Sequence, residues 1–99
     1  MKLSPSDVAA RLPSTPDWKF EGEALKRQFV FASFPDAIAF VTRLAFEAEA
    51  TDHHPDLFIN FRRVTVTWTT HTEDGVTDKD FAGAERANRI AGIFPSSPD

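Results

Sequence analysis

All three histidines of this 99-residue chain fall between positions 53 and 71, close to acidic residues. His53 and His54 follow Glu49 and Asp52, and Asp80 comes after His71 with eight residues between them. An imidazole titrates near ~6.5, so a cluster of this kind can both give and take protons near neutrality. Taken singly, each residue has a plain reading. His71 fits a surface residue on a Thr-rich strand, and His53-His54-Pro55 fits a helix stop whose imidazoles favour the helix C-terminus. With Glu49 and Asp80 beside them, the three histidines read together as an acid–base site, because rigid folds hold functional groups at the ends of their elements.

Other chemistries fit less well. Adjacent side chains such as His53 and His54 diverge, and there is neither a His-x-x-x-His helical pair nor a cysteine, so a metal centre is disfavoured. A loop that joined His54, His71 and a carboxylate is the one way such a centre could form. The expectation is no metal and no cofactor. Nucleophilic catalysis lacks a cysteine and a Gly-x-Ser-x-Gly elbow. Four glycines form no phosphate-cradling loop, and Arg62-Arg63 reads as a solvated turn.

The elements that must hold the histidines can be read from punctuation and periodicity. Ser4-Pro5-Ser6-Asp7 starts a short helix that Pro13 ends. Asp17–Phe20 reads as a first strand and Leu25–Phe31 as a second, with Leu25, Phe29 and Phe31 on one face. Ser33-Phe34-Pro35-Asp36 opens a long helix, with an acidic residue three after the cap. Phe34, Ile38, Val41, Ala45 and Ala48 form its expected buried stripe, leaving Phe40 and Phe46 as peripheral core or a subunit contact. Pro55 requires the run from Thr51 to be the helix exit. Leu57–Phe61 and Val64–His71 are two more strands joined by a tight turn, with Val64, Val66 and Trp68 alternating against threonines. Thr77 caps a last helix whose stripe runs through Phe81, Ala84, Ala87, Ala91 and Phe94. Residues 95–99 are expected to fray.

The order α-β-β-α-β-β-α predicts an α+β fold in one domain over residues 1–99. Its four-stranded antiparallel sheet would carry three helices on one face and be more polar on the other. Length and composition agree, with 41% hydrophobic and 26% charged residues. A net charge of −4 excludes a broadly basic nucleic-acid binder. No apolar run approaches the ~20 residues that span a bilayer, and no signal-peptide core is present, so a cytoplasmic protein is expected.

Three segments together resemble the pterin-4a-carbinolamine dehydratase family. They are Glu49-Ala50-Thr51-Asp52-His53-His54-Pro55, Thr69-Thr70-His71, and Gly75-Val76-Thr77-Asp78-Lys79-Asp80. Trp18-Lys19 and Phe29-Val30-Phe31 match upstream, so the resemblance runs from about Leu3 to Phe94. It implies elimination of water from 4a-hydroxytetrahydropterin to quinonoid dihydropterin, in the recycling of the tetrahydropterin used by aromatic amino-acid hydroxylases. It implies His53, His54 and His71 around the reacting edge, supported by Glu49 and Asp80. Asp52, Pro55, Thr69 and Thr70 would hold the pterin ring. Trp18 would border the pocket or serve as a plain core aromatic. The resemblance also implies a homodimer or homotetramer, while the acidic charge and the lack of a spanning apolar run leave neither nucleic acid nor membrane as an expected partner. Leu57, Phe61 and Arg62 depart from the usual aromatic, Tyr and Asn, which touches pocket walls and turn geometry. Relatives that act instead as assembly factors or transcriptional partners usually lose part of the His/Glu set, whereas this chain keeps it.

Overall fold

Helix α1 (Pro5–Arg11) starts as its sequence requires, with the Ser4 hydroxyl accepting from the Asp7 N–H at 3.1 Å. The computed structural model describes residues 1–95, and from Ser96 onward the expected fraying lies outside the described residues. After a 3₁₀ turn over Leu12–Ser14 come β1 (Lys19–Glu21), β2 (Ala24–Val30) and α2 (Phe34–Ala50). Strands β3 (Asp56–Asn60) and β4 (Arg63–Trp68) follow, then α3 (Asp78–Ala91). The chain is α+β, with the predicted order α-β-β-α-β-β-α. Among the described residues no helix is long and apolar enough to cross a membrane.

The four strands form one antiparallel sheet in the order β1-β2-β4-β3. Strand alternation selects its two faces. Leu25, Phe29, Val64, Val66 and Trp68 are buried, while Gln28 is exposed and Thr65 and Thr67 are half-exposed. Helices α2 and α3 pack on each other and against the apolar face, and Val8 of α1 joins the same core. The β1–β2 turn is Gly22-Glu23, both at positive φ, as a two-residue hairpin of matched twist needs. The β3–β4 turn, Phe61-Arg62, holds Phe61 at φ 56°, a region that non-glycine residues rarely occupy.

Helix α2 corrects one expectation. Its buried residues are Ala37, Phe40, Leu44 and Ala48. Phe34 and Ile38 lie in solvent at 46% and 37% exposure, Ala45 is exposed, and Val41 is half-buried. Phe40, expected at the periphery, is fully buried, and Phe46 is 75% exposed. The helix carries two apolar stripes at nearly the same spacing, and periodicity alone does not say which one meets the sheet.

Arg27 breaks the strand pattern. It shares the helix-facing side with Leu25 and Phe29 and pairs across to Val66. Burial pushes its guanidinium below the ordinary arginine pKa, against the opposing pull of Asp17. The group lies 4.2 Å above the Phe29 ring, and its Nη1 donates to Asn88 Oδ1 at 2.6 Å. The same oxygen accepts the indole N–H of Trp18 at 2.9 Å. Asn88→Leu would leave the buried Trp18 N–H without an acceptor, and is expected to lower stability by about 1–3 kcal/mol in urea denaturation. Asn88→Asp keeps the acceptor and should lose less. Equal losses for the two variants would show that the shared oxygen contributes little.

Candidate active site

The end of α2 separates His53 from His54. Thr51 closes the helix, Asp52 turns left-handed (φ 52°), and Pro55 prevents the helix from continuing. The Asp52 N–H donates to Glu49 O (3.2 Å) and the His53 N–H to Ala48 O (3.1 Å), the paired bonds of a Schellman cap. After this reversal the two imidazoles part. His53 has a side chain only 12% exposed and meets Asp80, whereas His54 is 56% exposed and reaches back to Glu49 Oε1 at 2.8 Å.

Asp80 is fully buried in the first turn of α3, where Thr77 is the N-cap. Its Oδ2 accepts from the Thr77 N–H (2.9 Å) and from the Thr70 hydroxyl (2.8 Å), and its Oδ1 lies 2.6 Å from His53 Nε2. The Thr77 hydroxyl accepts from the Lys79 N–H and sits 2.8 Å from Thr70 Oγ1, so it donates to Thr70 in turn. A carboxylate oxygen accepts, so Nε2 of His53 is the donor of this bond, and a neutral imidazole held in this way has its lone pair on Nδ1. One carboxylate thus caps a helix and fixes the tautomer of an imidazole.

Strand β4 ends at Trp68, earlier than the predicted end at His71. His71 instead opens a 3₁₀ turn, His71–Glu73, closed behind it by the bridge between Thr70 and Gly75. A cleft of about 280 Å³ lies between this turn, the end of α2 and the start of α3. Asp52, His53, His54, Thr69, Thr70, His71, Thr72 and Lys79 line it, so the fold gathers all three histidines. The supporting residues stand around it. Glu49 and Asp80 touch the histidines from outside the lining, and Pro55 is half-buried beyond it. Thr69 Oγ1 donates to Glu23 O, and the Thr70 hydroxyl and N–H are both engaged, which makes Thr70 a prop for Asp80. Trp18 is a core aromatic edge-on to Phe29, not part of the lining. Thr72 and Lys79 were not anticipated. The only sequence signal for Lys79 was its place inside the cap that presents Asp80. A larger groove of about 340 Å³ between β2 and the end of α3 has neither a histidine nor a carboxylate in its lining.

Comparison with known proteins identifies the family of the chain. The profile of the family described as pterin 4 alpha carbinolamine dehydratase matches residues 1–90. A protein of Chloroflexus aurantiacus that bears the pterin-4-alpha-carbinolamine dehydratase name is 47% identical over 91 residues, covering 92% of this chain and 98% of that one. Another so named, from Sulfolobus acidocaldarius, is 39% identical over 90 residues, covering 91% and 99%. Among solved structures, a transcriptional coactivator/pterin dehydratase from Brucella melitensis superposes with a TM-score of 0.88 at 38% identity, covering 93% of this chain and all of that one. A pterin dehydratase-like protein identified as a RuBisCO assembly factor in the alpha-carboxysome gives 0.64 at 27% identity, over 81% and 89%. With its whole fold and nearly its whole length matched, the chain belongs to the pterin 4 alpha carbinolamine dehydratase family.

Proposed function

We propose that this protein eliminates water from a 4a-hydroxytetrahydropterin, giving the quinonoid dihydropterin, by proton transfer between substrate and histidines. The reaction breaks the C4a–O bond, forms N5=C4a, removes the N5 proton and delivers a proton to the departing hydroxyl. The observation that carries the reading is the convergence of His53, His54 and His71 on one cleft, with Asp80 and Glu49 each bonded to an imidazole. His53, with Nε2–H committed to Asp80, presents Nδ1 as the base for N5. His54 and His71, on the open side, are the donors toward the hydroxyl. Asp52 and Thr69 are the groups for the polar edge of the pterin. In this reading the enzyme returns a hydroxylase product to the tetrahydropterin cycle.

Stopped-flow decay of synthetic 4a-hydroxytetrahydropterin tests the proposal. The purified protein should accelerate the decay, and His53→Ala and His54→Ala should each lower the enzymatic rate by about 10²–10⁴-fold. A wild-type protein that adds nothing to the spontaneous rate would overturn the assignment.

The outer stripe of α2 supports a second copy of the chain as partner, in a homodimer or homotetramer. Phe34 and Ile38 stand exposed along it beside Ala45, and Phe46 stands exposed next to it on the same outer side of the helix. The same stripe favours one alternative, a binding module like the coactivator or assembly factor among the structural neighbours. Phe46→Asp separates the two. Loss of self-association with an unchanged dehydration rate per chain supports the oligomeric enzyme. A protein without dehydratase activity that loses a hetero-partner supports the module.

A further inference from the structure

The hydrogen bond to Asp80 fixes one atom of the His53 ring. One hydrogen bond does not by itself fix the plane of a ring that can still tilt about its side-chain torsions, and so does not alone decide where Nδ1 points. A second contact removes that freedom. The imidazole lies nearly parallel to the indole of Trp68, with ring centroids 5.2 Å apart and planes 16° from each other. Trp68 is 1% exposed, and its N–H has no acceptor among the described residues, so what it offers its neighbours is its ring faces.

The indole can lie there because α3 carries a glycine. A Cβ on Gly83 would stand 2.5 Å from Trp68 Cε2, 2.6 Å from Cδ2 and 2.8 Å from Cζ2. These atoms belong to a rigid, buried ring that cannot give way as a flexible side chain would. Glycine inside a helix is unfavourable relative to alanine, and Gly83 lies well within α3. Its place on the helix matters as well. Gly83 follows Asp80 by three residues, so one face of α3 provides both the carboxylate for the His53 edge and the gap for the ring behind it. Strand β4 supplies the other half, with Trp68 at its end and Thr70, two residues on, donating to Asp80.

We infer that Trp68 and Gly83 are a positioning pair that sets the plane of the His53 imidazole. The inference rests on the dehydratase reading of the cleft and adds to it two residues that need not touch substrate. Trp68→Met fills much of the space without an aromatic plane, whereas Trp68→Phe keeps a plane. With Trp68→Met, kcat is expected to fall about 10-fold or more, since a small misplacement of a reacting group has effects of this size. KM should change by less than about 3-fold, because substrate contacts are kept. Trp68→Phe should restore most of the rate.

The independent readout is the ¹⁵N imidazole spectrum of labelled protein, which reports the tautomer of each histidine. In Trp68→Met the tilted ring should lose the alignment of its Nε2–H with Asp80 and show exchange-averaged nitrogens, whereas wild type and Trp68→Phe keep a single Nε2–H form and His54 is unchanged. Should Trp68→Met fail to fold, Trp68→Leu/Gly83→Ala carries the test, because its added methyl group occupies the gap. An unaltered His53 spectrum in the folded variant would overturn the positioning role. Loss of activity in wild type with the spectral difference intact would instead overturn the dehydratase reading and leave the positioning role standing.

Discussion

Asp80→Asn is expected to lower kcat for dehydration by about 10²–10⁴-fold, the range of a lost general acid–base group, while the protein still folds. The amide keeps one oxygen, and the strongest claim on it comes from the Thr77 N–H and the Thr70 hydroxyl, both donors to Oδ2 at present. That orientation turns the NH₂ toward His53 Nε2, which must then accept. The imidazole would change tautomer, place its hydrogen on Nδ1 and lose the lone pair assigned to N5. A carboxylate-to-amide change beside a catalytic imidazole has this character in the serine-protease triad as well. The helix cap survives in the amide, so stability should fall by only about 1–2 kcal/mol, the difference between a charge-assisted and a neutral hydrogen bond. Stopped-flow rates together with thermal melts separate the two effects. A folded variant within a few-fold of wild type would remove Asp80 from the proton-transfer machinery. The Glu49–His54 pair should be less sensitive. Both side chains are largely exposed, at 81% and 56%, and water can replace the bond when Glu49→Gln weakens it.

The site was legible in sequence to the extent that its signals are local. Pro55 marks the helix exit, Thr77 and Asp80 mark a capped helix start, and the spacing of the three segments carries the family resemblance. What stayed hidden depends on how distant segments cross. Trp68 read only as one inward residue of an alternating strand. That it lies flat behind His53 follows from α3 passing over the end of β4 at Gly83, and no window around residue 68 contains that fact. Lys79 was visible as part of a cap but not as a wall of the cleft. Trp18 was open between pocket and core, and its polar atom was settled by Asn88, 70 residues away. Arg27 had a readable parity with Leu25 and Phe29. A charge on an inward position is tolerable here because Asn88, Asp17 and the Phe29 ring receive it.

Helix α2 is where periodicity misled, and the two phenylalanines on either side of that error give the largest stability contrast. Phe40→Ala is expected to destabilise the fold by about 3–5 kcal/mol, through lost transfer energy and the cavity left behind. The Phe40 ring is fully buried, 5.0 Å from Phe29 and 4.9 Å from Phe31, in an aromatic cluster that Phe94 extends edge-on. Nothing in such a cluster collapses readily into the gap, because its neighbours are rigid rings held by β2 and the chain just beyond it. For a domain of this size the loss would be a large part of a typical 5–15 kcal/mol total, and the urea midpoint should fall accordingly. Phe46→Ser, only six residues further along the helix, should leave the midpoint within about 0.5 kcal/mol at high dilution, since a surface substitution removes little. At higher protein concentration the two residues should also behave differently. If a second copy covers the outer stripe, the wild-type and Phe40→Ala midpoints will rise with concentration while that of Phe46→Ser stays flat, because self-association stabilises only the chains that still present the stripe. A concentration-independent wild-type midpoint would show that the stripe is not a self-contact. A Phe46→Ser loss as large as that of Phe40→Ala at dilution would mean that both stripes of α2 face the core, contrary to the exposure of Phe46.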